Sequence, residues 1–138
     1  MLETALLIAG CSIFAGLGMI HALYTFTTNK FDARDAGLTE AMKRISPVLT
    51  REMSMWKAWV GFNASHSLGV ILFGVIFIIV ALENNAYLKS SVALNTLLVG
   101  VPLIFPALAF KYWFSVPRKG IIAATLLIGL SLAARLID

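Results

Sequence analysis

The chain has 138 residues, of which 59% are hydrophobic and 13% charged, with a mean hydropathy of +0.88. A soluble domain of this size cannot bury that much apolar surface, so composition excludes a water-soluble globular protein and indicates an integral membrane protein. The net charge of +4 does not mark a nucleic-acid partner, because the Lys and Arg residues flank apolar stretches instead of forming a patch, and the single cysteine excludes an internal disulfide.

Four runs lack Lys, Arg, Asp and Glu: Thr4 to Asn29, Ala58 to Leu82, Ser90 to Phe110, and Gly120 to Ala134. At about 1.5 Å rise per residue, the first three exceed the roughly 20 residues needed to cross a hydrocarbon core. The fourth is shorter, and a full crossing requires Arg135 to snorkel outward while Leu136 and Ile137 continue the apolar run. The spans are therefore placed at 4–27, 54–82, 90–112 and 117–137. This is an all-α fold, an integral membrane four-helix antiparallel bundle forming a single transmembrane domain over 1–138.

The first span contains Leu7-Ile8-Ala9-Gly10-Cys11, which looks like the cleavage box of a lipoprotein precursor. No basic segment precedes it and the apolar pattern runs on to Tyr24, so it reads as a span. The face around His21 also carries Gly10, Phe14, Leu17, Gly18, Thr25 and Thr28. Its glycines leave room for a neighbouring helix or a flat ligand, and its threonines can turn back on carbonyls of the preceding turn.

In the long first connection, Leu38, Met42, Ile45 and Leu49 recur at helical spacing with Glu40, Lys43 and Arg44 between them. That pattern predicts a short amphipathic helix lying at the membrane interface. Ser46-Pro47 should end it, and Thr50 followed by Glu52 is the expected N-cap of the second span. The later connections, Glu83 to Lys89 and Trp113 to Lys119, are short and imply antiparallel hairpins. Lys30, Arg34, Lys43, Arg44, Arg51 and Lys57 lie between spans one and two, and Lys111, Arg118 and Lys119 between spans three and four. Positive residues are retained on the cytoplasmic side, so both termini of this multi-pass chain are expected outside.

The second span carries the most informative residues. Trp56, Trp59, Asn63, His66 and Val70 form one stripe, and Gly61, Ser65 and Gly69 form a small-residue stripe about 140° away, which suits helix packing. Polar groups within hydrocarbon need partners or a task, so His21, Trp59, Asn63, His66 and Ser67 are the candidate site. In the third span, Pro102 and Pro106 free carbonyls at Leu98 and Pro102, and the resulting kink is expected to open a cleft. Glu3 and Arg135 fall at the same outer boundary, where they can pair and close the bundle.

The strings Trp56-Lys57-Ala58-Trp59-Val60-Gly61-Phe62-Asn63-Ala64-Ser65-His66-Ser67-Leu68-Gly69 and His21-Ala22-Leu23-Tyr24-Thr25-Phe26, with Asn29-Lys30-Phe31, resemble those of a group of small four-span bacterial inner-membrane proteins. The likeness covers roughly the first half of the chain. It implies a four-helix membrane fold and transfers no activity.

Three readings of the His/Asn/Trp face follow from the residues. The first is an interhelical polar contact in a non-catalytic accessory subunit or oligomeric bundle, whose partners are the lipid bilayer and itself or a larger membrane complex. The second is an enzyme or carrier for a lipid-like or quinone-like molecule, with His66 moving a proton and Asn63 orienting a polar head. The third is ligation of a haem by His21 and His66. Zinc lacks ligands, since Cys11 sits about three turns from His21 on the same helix. No carboxylate lies inside a span to couple a cation.

Overall fold

The computed structural model describes residues 1–136. Over these the chain forms α1 (Leu2–Thr27), α2 (Ala36–Arg44), α3 (Met55–Glu83), α4 (Asn85–Ser90), α5 (Val92–Tyr112) and α6 (Ser115–Ala134). Helices α1, α3, α5 and α6, of 26, 29, 21 and 20 residues, are long and apolar enough to cross a membrane. The all-α four-span bundle read from composition is the fold, and a short helix sits in the first connection where the apolar spacing places it.

Local chemistry sets the boundaries. The Asp35 carboxylate accepts from Gly37 N at 2.7 Å and Leu38 N at 3.4 Å, which starts α2, and Lys43 and Arg44 occupy its last turn, where cations favour the helix dipole. The helix stops before Ser46-Pro47, as expected. Leu38 and Ile45 remain exposed while Met42 is half-buried.

Three expectations need correction. Thr50 does not cap α3: its hydroxyl accepts from Glu52 N at 3.1 Å in a turn, and Ser54 Oγ takes Lys57 N at 3.3 Å instead. The backbone bends through residues 51–53, so the orphan N–H groups arise one turn later than the Thr50-Glu52 pair suggests. The connection after α3 is largely helical, with Asn84 Oδ1 capping Tyr87 N of α4 at 3.1 Å. Finally, α6 begins at Ser115, which puts Arg118 and Lys119 inside it.

Arg135 also behaves differently from a snorkelling anchor. Its side chain is 11% exposed and its Nε lies 2.6 Å from Glu3 Oε1, while Nη1 donates to Asn95 Oδ1 at 3.0 Å. Helix α6 ends at Ala134, Leu136 follows in a turn, and the expected continuation to Ile137 lies outside the described residues. A buried carboxylate offers a guanidinium more than headgroup water does, since attraction strengthens as the local dielectric falls. The pairing of Glu3 with Arg135 expected from their shared depth is thus present. Lys89 Nζ completes it at 2.7 Å from Glu3 Oε2.

The chain divides into two compact units, Met1–Leu17 with Val70–Asp138, and Gly18–Gly69. The first holds the apolar core: Leu7, Cys11, Phe14, Phe77, Leu98, Ile121 and Ile128 are each at most 3% exposed. Phe14 lies 5.0 Å from Phe73 and 5.5 Å from Phe105, ring centre to ring centre. Backbones meet at two glycines. A Cβ on Gly10 would sit 2.9 Å from Ala124 O, and one on Gly74 would sit 2.8 Å from Ala15 N.

The proline carbonyl in α5 has a protein partner. Thr125 Oγ1 of α6 lies 2.9 Å from Pro102 O and 2.9 Å from its own-helix Ile121 O. Its single proton matters most at Pro102 O, which lacks a helical donor because position 106 is proline. Thr125→Val should therefore cost about 1 kcal/mol. In a Pro106→Ala background, where position 106 regains an N–H, the same substitution should cost less. A double-mutant cycle from detergent unfolding curves measures the difference, and strict additivity would reject the assignment.

Candidate functional site

The candidate residues all belong to the unit Gly18–Gly69 and are positioned by α1, α3 and the connection between them. Asn63 is 4% exposed on α3, so its amide must be satisfied by protein. Its Nδ2 donates to Trp59 O, one turn earlier, at 2.8 Å. That contact assigns the amide's orientation and turns Oδ1 toward α1, where His21 Nε2 lies at 2.9 Å. An amide oxygen only accepts, so in this contact His21 Nε2 carries a proton and donates it.

Trp59 extends the network to the connection. Its Nε1 donates to Phe31 O at 3.2 Å, and the Phe31 ring packs on His21 with centres 4.6 Å apart. Met55 N donates to Ile45 O at 2.7 Å, and Lys30 Nζ lies 3.8 Å above the Tyr24 ring. The connection is tied down at several points by the residues that polarise the two helices.

His66 is half-buried, its ring centre 5.4 Å from that of His21 at 71° and 6.2 Å from the nearly parallel Phe62 ring. The two imidazoles are therefore in edge contact. Ser67, 1% exposed, turns its hydroxyl onto Asn63 O at 2.8 Å. Thr25 and Thr28 do the same onto His21 O and Tyr24 O, both at 2.8 Å, as their spacing suggests.

The arrangement limits the chemistry. Two imidazoles sharing a haem stand on opposite sides of the macrocycle with their coordinating nitrogens turned to the iron. Here the rings are in edge contact and His21 Nε2 is engaged by Asn63, so the pair does not fit a haem. Among the described residues no three His, Cys, Asp or Glu side chains converge as metal ligands.

The small-residue stripe differs from its sequence reading. A Cβ at Gly61 or Gly69 would meet nothing within 4 Å, and Ser65 is exposed with its hydroxyl on Phe62 O at 3.0 Å. Close approach instead uses Gly10 and Gly74. Spacing by four residues identifies a face and not what it meets.

Sequence reasoning missed Phe31 as a structural partner of His21 and Trp59. The available signal was that Phe31 is the sole aromatic residue between Thr28 and Ser54. Thr39 was missed as well: it is 6% exposed on a nine-residue helix whose other face carries charge, and no periodicity distinguishes it. No family model, curated protein or solved structure matches this chain.

Proposed function

We propose that this chain is a non-catalytic multi-pass protein of the bacterial inner membrane, an accessory or self-associating subunit whose His21–Asn63–Trp59 latch holds the first connection as a platform on the cytoplasmic side. One observation carries the reading. Both ends of the buried Asn63 amide are engaged inside the protein, by His21 Nε2 and Trp59 O, and the Trp59 indole closes the chain of bonds on Phe31 O. A buried amide whose oxygen and nitrogen are both bonded within the protein is accounted for by helix packing alone.

Two further points support the reading. Six of the eleven Lys and Arg residues fall in or beside this connection, which favours a cytoplasmic placement. The open surface at Gly61 and Gly69 lets another helix approach closely.

Replacing Asn63 with Leu should cost about 1–2 kcal/mol in a mixed-micelle unfolding titration, since it removes the His21 bond and leaves the imidazole N–H without its acceptor. Native mass spectrometry of the wild-type protein should give the mass of the chain, or multiples of it, with exchangeable lipid alone. An Asn63→Leu protein as stable as wild type, or a quinone or chromophore retained in stoichiometric amount, would overturn the proposal.

A further inference from the structure

The first connection borders a cavity of about 560 Å³ that is open to its surroundings, lined by Asn29, Lys30, Asp32, Arg34, Thr39, Glu40 and Lys43 among others. The volume falls in the range of small-molecule sites. Its walls are largely polar and carry both signs of charge. Lys43 Nζ pairs with Glu40 Oε1 at 2.7 Å, whereas Lys30 and Arg34 form no ion pair among the described residues, and Asp32 adds a carboxylate. The α2 N-terminus is not the attraction, because Asp35 already accepts from Gly37 N and Leu38 N.

Thr39 supplies the second observation. It lines the cavity, is 6% exposed, and its Oγ1 is buried with no hydrogen-bond partner. Thr25, Thr27, Thr96 and Thr125 each turn the hydroxyl back on the carbonyl four residues earlier, but Thr39 does not. A buried hydroxyl left without a partner is destabilising by itself, and a bound group at the cavity would supply the missing hydrogen bond.

The position narrows the ligand. The cavity follows directly after the end of a membrane-length helix, and the same connection exposes Leu38, Ile45, Val48 and Leu49, an apolar surface of the kind that enters the headgroup region. We propose that this cavity binds a phosphate ester carrying a primary amine, the chemistry of a phosphoethanolamine head group. Lys30, moving off the Tyr24 ring, takes the phosphate oxygens with Arg34 and the Thr39 hydroxyl, and Asp32 takes the ammonium with the Glu40 oxygen that Lys43 leaves unused. A head group without an amine leaves the carboxylates facing phosphate, and a quaternary amine cannot donate to them.

The inference relies on the proposed latch only for placement of the connection, and its variants lie outside that latch. The full chain in nanodiscs is titrated with phosphatidylethanolamine, phosphatidylcholine or phosphatidylglycerol, and bound lipid is counted by native mass spectrometry. Phosphatidylethanolamine should be retained preferentially, and Arg34→Gln should weaken it about tenfold through loss of a charge-assisted hydrogen bond. Thr39→Val should also weaken retention while leaving the unfolding midpoint equal to wild type or higher, because it removes an unpartnered hydroxyl at constant shape. Competition with soluble glycerophosphoethanolamine separates the sources: displacement at equal concentration assigns the free ester, and no displacement assigns the bilayer lipid. Equal retention of the three lipids, or retention unchanged in both variants, overturns the proposal. Failure of the latch appears separately, as an Asn63→Leu protein of undiminished stability.

Discussion

Arg135→Ala should be the most damaging of the single substitutions considered, lowering stability by about 3–5 kcal/mol in a mixed-micelle titration followed by tryptophan fluorescence. Glu3 is 2% exposed, and removing the guanidinium leaves its carboxylate only Lys89, whose side chain is 44% exposed. The loss also strips a donor from Asn95, whose Nδ2 contacts Leu88 O at 2.9 Å and Ser91 O at 2.8 Å at the junction of α4 and α5. Ser131 Oγ donates to Glu3 O at 2.8 Å, so the start of α1 and the end of α6 are held together at this cluster. Replacing Glu3 and Arg135 together with methionine should restore much of the loss, because the desolvation cost of both charges disappears with them. An Arg135→Ala protein within about 0.5 kcal/mol of wild type would show the cluster to be energetically idle.

Gly74→Ala should cost about 1–3 kcal/mol, although alanine is the better helix former. The added methyl would run into Cys11 O and lie 2.8 Å from Ala15 N. Both obstacles are backbone, so α1 and α3 must move apart where their backbones now touch. Gly61→Ala and Gly69→Ala point into open space in the single chain and, at detergent dilutions where no second helix lies on that face, should instead gain up to about 1 kcal/mol from helix propensity. The same substitution thus changes sign along one helix. Unfolding midpoints of the three variants test this, and a Gly74→Ala protein more stable than wild type would contradict the close contact.

The spans were legible because uninterrupted apolar length is a property of the chain alone: α1 and α3 end within a few residues of the expected limits. The pairing of His21 with Asn63 and His66 was legible in outline, since residues three and four apart share a helical face and equal depth brings two faces to one level. Depth also paired Glu3 with Arg135. What spacing left open was which neighbour a face meets. Gly61-Ser65-Gly69 and the glycines at 10 and 74 look alike as small residues, yet only the latter two touch another backbone. Thr50 and Ser54 are equally good caps by type, and the choice fell to the path of the backbone through residues 51–53.

Composition and charge-free length by themselves determined that this chain is an all-helical membrane protein with four spans, because a backbone in hydrocarbon must satisfy its own hydrogen bonds, and apolar spacing added the short helix in the first connection. The tertiary structure decided how the polar groups are used: Arg135 turned inward to Glu3, Thr125 placed on the Pro102 carbonyl, Asn63 engaged at both ends, and Thr39 left without a partner beside a charged cavity. The contacts of Arg135, of Thr125 with Pro102 and of Asn63 with His21 join residues far apart in the chain, and hydrogen bonds and ion pairs are made or lost within an ångström that sequence spacing does not fix.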